Sequence, residues 1–257
     1  MNFEYYKEPL KGECRTLKSL SNLIKGEIKE KVYSTEWFLL NIGWLENLYY
    51  KSGIASRSFT IPYDKRTPRN VEERAETYEI SGTIDNWIVA WKLGRIDEQG
   101  NIVLNADGSI RNTYGRKIYG LDDYLKKIDI GGIKSEIEQG RFQKAFHSMA
   151  AISPNNFDTV YIITLMHFIS KGEIPIYDKF AHIAVKALYA NVRPSEIYVG
   201  PAPDKNDLPG VYNLMNEYMW LLNKVFGTSK ISKSIYRALW AYGHENGKKE
   251  DVHFLWQ

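Results

Sequence analysis

Asp178 and His182 lie four residues apart, a spacing that puts both on one face of a helix. A carboxylate and an imidazole placed this way can pass a proton or begin a metal site. A metal wants three or four donors, and His167 is the one nearby candidate. The pair therefore reads as a polar, helix-stabilising face, and no metal is expected. His147, His244 and His253 are scattered along the chain. There is no His-Glu-x-x-His, paired Cys-x-x-Cys, Gly-Lys-Ser/Thr phosphate loop, Gly-x-Ser-x-Gly elbow or Gly-x-Gly-x-x-Gly. No cofactor is expected.

The second chemistry on offer is stacking and phosphate contact. The chain carries 7 Trp, 18 Tyr and 10 Phe, and nucleobases stack on such rings. Most of these residues fall on apolar helical stripes and read as core; Tyr5-Tyr6-Lys7 and Tyr49-Tyr50-Lys51 are the surface candidates. Basic residues gather at Lys25, Lys29 and Lys31, at Lys65, Arg66 and Arg69, at Arg111, Arg116 and Lys117, and at Lys224, Lys230 and Lys233. Solvated faces explain each cluster, and together they permit a nucleic-acid groove.

The elements that must carry these residues are mostly helices, about eight by their periodicity. Ser34 and Thr35 cap a run from Glu36 to about Lys51, and Gly53, Pro62 and Pro68 then break the chain. Asn70 caps VEERAE, whose acids suit a helix start, and Asp85 to Leu93 continues helically to Gly94. Residues 100–112 read as two short strands around Asp107-Gly108, a small β-hairpin insertion. Asp122 and Asp123 open a helix that Gly131-Gly132 interrupts. Phe157 to Ile169 is apolar nearly all round, which predicts a central buried helix. A helix bearing Phe180, Ile183, Ala184, Ala187 and Leu188 ends at Pro194. Asp207 with Pro209 opens another that Gly227 stops, and Ser232 opens the last, ending near Gly243. The fold class expected is mostly α, a compact multi-helix unit over residues 1–257, with a conceivable subdomain boundary near 120–150.

The segment SPNNFDTVYIITLMHFISKGEIPIYDKFAHIAVKAL, residues 153–188, resembles the helix-hairpin-helix DNA glycosylase superfamily. In that family a Leu-Pro-Gly-Val-Gly hairpin precedes an apolar helix, and a short loop then reaches Pro-Val-Asp at the start of the next helix. Pro175-Ile176-Tyr177-Asp178 stands in that place with one residue more, and Val160 to Ile169 resembles the second hairpin helix. The resemblance implies a helix-hairpin-helix glycosylase-like fold and DNA as partner. It makes Asp178 the catalytic carboxylate that would assist water and stabilise charge on the sugar. It places Asn155, Asn156, Lys171 and Lys179 as nucleic-acid-binding residues. Asp178 reads also as a helix cap, the reading preferred here. The chain departs from the pattern at the hairpin glycines, replaced by Ser153-Pro154-Asn155-Asn156-Phe157. Where lyase-competent members carry a lysine it has Asp158 or Thr159, neither of which forms a Schiff base.

With 44% hydrophobic and 25% charged residues, the 257-residue chain has globular composition and a net charge of +3, too balanced for a strongly basic nucleic-acid binder. The single Cys14 rules out an intrachain disulfide. The charged start predicts no secretory leader, and Thr159 to Ser170 is too short to span a bilayer. A cytoplasmic address, no membrane and an unspecified protein partner are expected. Three functions stay open. The first is a non-catalytic or weakly DNA-binding relative of the glycosylases, the second an active monofunctional base-excision glycosylase using Asp178, the third an unrelated all-α protein-interaction module.

Overall fold

The computed structural model describes residues 34–43, 45–46, 49, 69–80, 82–97, 99–112 and 114–245. Several readings made above lie outside these residues: the chain start with Cys14, the Lys25–Lys31 cluster, Tyr50-Lys51, the break through Pro68 with Lys65 and Arg66, and the tail with His253. The protein is mostly helical, with one small two-stranded sheet among the described residues. The chain divides into two compact units. The first comprises Met1–Ser52, Asp178–Pro201 and Tyr218–Gln257; the second comprises Gly53–Tyr177 and Ala202–Glu217.

In the first unit, α1 (Thr35–Leu40) starts where the Ser34 hydroxyl accepts from Trp37 N–H and stops where Asn41 Nδ2 donates back to the Trp37 carbonyl at 2.8 Å. Trp37 and Phe38 pack their rings on Tyr242 of the last helix, the one that begins at Lys233. In α8 (Lys179–Ala190) every residue from Phe180 to Val185 is buried, as are Ala187 and Leu188, and this helix packs against the last helix, α10 (Lys233–Glu245). Gly243 sits inside α10 and does not end it. A Cβ there would lie 2.0 Å from the Phe180 carbonyl oxygen, so the glycine is what lets the two helices approach. Within α10, Arg237 is buried and its guanidinium donates to Glu46 Oε1 at 2.6 Å.

The second unit is built on α7 (Thr159–Ile169), which packs against α3 (Asn86–Lys92), α5 (Ile130–Glu138) and α6 (Phe142–Ile152). An apolar surface on every side of α7 is what such a position demands, and Ile163 and Met166 are completely buried, as its sequence predicts. The other helices here are α2 (Arg69–Glu76) and α4 (Leu121–Lys127). The remaining long helix, α9 (Leu208–Phe226), runs across the division at residues 217 and 218. Its first turn is capped as expected, with Gly210 N–H donating to Asp207 Oδ1.

Three local expectations are corrected. Asn70 lies inside α2 and does not cap it, because the helix already starts at Arg69. Gly131 and Gly132 do not interrupt a helix. The break comes earlier, at Ile128–Asp129, and the two glycines form the first turn of α5 beneath the Asp129 carboxylate, which accepts from Gly132 N–H at 2.9 Å. The hairpin is displaced along the chain. Asp107-Gly108 closes only the tight loop from Asn105 to Ser109, while the ladder pairs β1 (Ile110–Arg111) with β2 (Lys117–Ile118). Its turn is made by Asn112, whose side-chain oxygen accepts from the Tyr114 and Arg116 N–H groups. An asparagine ordering its own turn competes well with an Asp-Gly pair, and the pattern of apolar residues does not distinguish them.

Candidate nucleic-acid interface

The turn between α6 and α7, residues Ser153 to Asp158, is the part of the second unit that carries the hairpin of the family resemblance. Pro154 O accepts from Phe157 N–H at 3.3 Å, with Asn156 in the left-handed region at φ 63°. Asparagine tolerates that conformation, so the turn closes without glycine. Lys205 Nζ holds it from behind, donating to Ser153 O, Ser153 Oγ and Pro154 O at 3.2, 2.7 and 2.8 Å. Thr159 Oγ1 donates to Pro203 O at 2.6 Å. The turn is thereby tied to residues some fifty positions later in the chain.

A second set of bonds fastens the turn to the β-hairpin. Asn156 Nδ2 donates to the Lys117 carbonyl at 2.9 Å, and Asn112 Nδ2 donates to the Asn156 carbonyl at 3.2 Å. The buried guanidinium of Arg95 braces the same hairpin through the Arg111 and Asn112 carbonyls. The effect is to set Arg111, Arg116 and Lys117, with the exposed Tyr114 and Tyr119, beside the α6–α7 turn.

The charges here are mixed. Lys117 Nζ pairs with Asp107 Oδ2, and the ammonium, followed by the Ser109 hydroxyl and N–H, holds the Asp107 carboxyl well below the usual range. Arg111 donates to Asn105 Oδ1 and to the Gly115 carbonyl, stiffening the hairpin. Arg116 is exposed, and among the described residues its guanidinium makes no ion pair. Half-burial pushes the Asp158 carboxyl up, against the pull of Arg116 and then Lys205. Desolvation pushes the Lys205 ammonium down.

Asp158 occupies the cap position of α7 yet makes no capping bond. Within the described residues the N–H groups of Asn155, Asn156, Asp158, Thr159 and Val160 donate to no protein acceptor. N–H groups without a protein acceptor at a helix start can meet an anion; Thr159 is buried, and Asn155 is the exposed residue of the set. This turn therefore pairs an uncapped helix start with an adjacent basic, aromatic hairpin.

The other residues named from sequence fall elsewhere. Lys171 is exposed in the turn after α7, at φ 51°, where Gly172 N–H reaches back to the His167 carbonyl. The loop from there to Tyr177 is closed by His167 Nδ1–H, which donates to the Ile174 carbonyl at 2.8 Å, and by Ser170 Oγ, which accepts from Ile174 N–H. Asp178 belongs to the first unit, where its Oδ1 caps α8 by accepting from Phe180 N–H at 2.9 Å. Lys179 follows it, exposed, and His182 is buried against the Tyr218 ring. Among the described residues no group of three or more His, Cys, Asp or Glu is placed to hold a metal ion, and no helix is long and apolar enough to cross a membrane.

No family model, no curated protein and no solved structure matches the chain. The function has to be argued from the geometry. Arg111, Arg116 and Lys117 stand out in the sequence as a cluster, whereas Arg95, Asn112, Tyr114, Tyr119 and Lys205 join the site only in the folded chain. Turn-forming Asn112 and Gly115 were the available signal for the hairpin; nothing local marks Lys205.

Proposed function

We propose that the protein is a non-catalytic nucleic-acid-binding member of a helix-hairpin-helix glycosylase-like group. It would grip the sugar–phosphate backbone through the α6–α7 turn and the β-hairpin. The observation that carries this reading is the pair of hydrogen bonds between Asn112 and Asn156 and between Asn156 and Lys117, which tie the basic, aromatic hairpin to the turn whose N–H groups have no protein acceptor. Phosphate contacts from Arg116 and from the turn carry no sequence information, so the binding is backbone-directed and salt-dependent. Asp178 supports the non-catalytic form of the reading, since one carboxylate oxygen is spent on the first turn of its own helix.

Fluorescence anisotropy of labelled DNA across a salt series tests it. Binding is expected at low salt, weakening steeply as salt rises. Arg116→Gln should lower the affinity and reduce the salt slope by about 1, and Asn155→Lys on the exposed edge of the turn should raise the affinity. No binding at about 50 mM salt, or a salt-insensitive complex, refutes the reading.

A second reading, a protein-interaction module, rests on the first unit. Tyr189 and Trp220, 48% and 47% exposed, meet edge to face at 5.0 Å, with Lys224 Nζ 5.6 Å from the indole. Exposed aromatic pairs of this kind anchor protein interfaces. Trp220→Ala separates the two readings, because a nucleic-acid grip in the second unit leaves DNA affinity unchanged.

A further inference from the structure

A cavity of about 300 Å³, open to solvent, lies beside the hairpin in the second unit. The residues Ile110 and Ile118, paired across the ladder, form part of its apolar lining, and Tyr119, directly after β2, is another wall. The polar side of the cavity is acidic, with Asp107, Asp122 and Asp123. These carboxylates are not equivalent. Asp107 is taken up by Lys117 and Ser109, and Asp122 Oδ1 accepts from Asn86 Nδ2 at 2.9 Å. Among the described residues the Asp123 carboxylate has no hydrogen-bond or ion-pair partner.

An occupant has to satisfy all three surfaces. The aliphatic lining calls for an apolar body, and the Tyr119 ring, on a residue 62% exposed, offers a face for a flat one. The open carboxylate calls for N–H donors at the edge, and it repels phosphate. A cavity at the small end of the range for ligand sites fits one ring system better than a larger molecule. The chain that carries such a ring needs its phosphates outside the acidic cavity, and Arg116 stands on the same hairpin to receive them. A base in a duplex cannot meet these demands, since its faces are stacked and its edge donors are paired.

Resting on the nucleic-acid reading above, we infer that the cavity is a subsite for one unpaired nucleobase of a single strand, stacked on Tyr119 with its N–H donors turned to Asp123. The ligand of the hairpin is then single-stranded nucleic acid, with Tyr114, 75% exposed at the hairpin tip, as a second platform for a neighbouring base. Stacking on aromatic side chains is tolerant of base identity and strong enough to set such a preference.

The experiment compares a labelled single-stranded DNA oligonucleotide with the duplex of the same sequence, by anisotropy at low salt, on the full chain. The wild type is expected to favour the single strand at least about fivefold. Tyr119→Ala should cost the single strand about tenfold, in line with one lost stack, and abolish the preference for it over the duplex. Tyr119→Phe should keep the preference, and Asp123→Asn should change which homopolymer binds best. Thermal melts check that the Tyr119 variants, altered at an exposed ring, remain folded. Equal affinity for the two forms, or a preference that survives Tyr119→Ala, overturns the single-strand inference and leaves the backbone grip standing. Failure to bind either form overturns the grip itself.

Discussion

Two turns in this protein carry the same signal and use it differently. Asp158 precedes α7 and Asp178 precedes α8, and each stands at the cap position of an apolar helix. Asp178 behaves as its sequence position suggests, with its carboxylate on Phe180 N–H. Asp158 does not. Its carboxyl is half-buried near Arg116 and Lys205, and the start of α7 is left uncapped. A cap residue is a local offer, and neighbours brought in from elsewhere in the chain decide whether the backbone takes it. The difference matters for function, because the satisfied helix start belongs to the residue the resemblance would make catalytic. The open one belongs to the turn held against the basic hairpin.

The largest expected effects lie in the helices behind the two turns. Ile163→Ala removes a fully buried side chain from α7 and should cost about 2–5 kcal/mol in chemical denaturation. Gly243→Ala tests the packing behind α8. A helical glycine normally gains stability on conversion to alanine, but the new Cβ would press on the Phe180 carbonyl. A loss of about 1–3 kcal/mol or more is expected, and a gain would show that α8 and α10 do not meet as described.

The comparison itself is sharpened by the two aspartates. Asp178→Ala should cost about 1 kcal/mol and Asp178→Asn only a few tenths, the pattern of a cap. A base-excision assay in which wild-type protein releases a base and Asp178→Asn does not, at equal stability and DNA affinity, would overturn the capping role as the whole account. Asp158→Asn is the smallest effect and has the opposite sign. Burial raises the folded-state pKa of Asp158 above its ordinary value of 3.8, so its stabilising influence is complete below that pH and is lost as pH climbs through the folded value. Urea midpoints should therefore fall from acid to neutral pH more in the wild type than in Asp158→Asn, with the variant the more stable at neutrality.

Sequence alone determined a good deal. Periodicity placed α7 through α10, because an apolar stripe or an apolar surface repeats with the helix and needs no knowledge of its neighbours. The caps at Ser34, Asp207 and Ser232 were equally legible, since each is a contact of a residue with the next turn. The hairpin was half legible: a β insertion could be seen, and its register could not, because Asn112 outcompeted Asp107-Gly108 in ordering the turn. Only the tertiary structure decided the rest. Gly243 reads as a helix stop until Phe180 is seen against it, and nothing local to Asp158 brings Arg116 and Lys205 near its carboxyl. The tie from Asn156 to Asn112 and Lys117 spans about forty residues, and the one from Lys205 to Ser153 spans about fifty. Bonds of that range leave no periodic mark, because they depend on where the folded chain returns and not on what stands next to what.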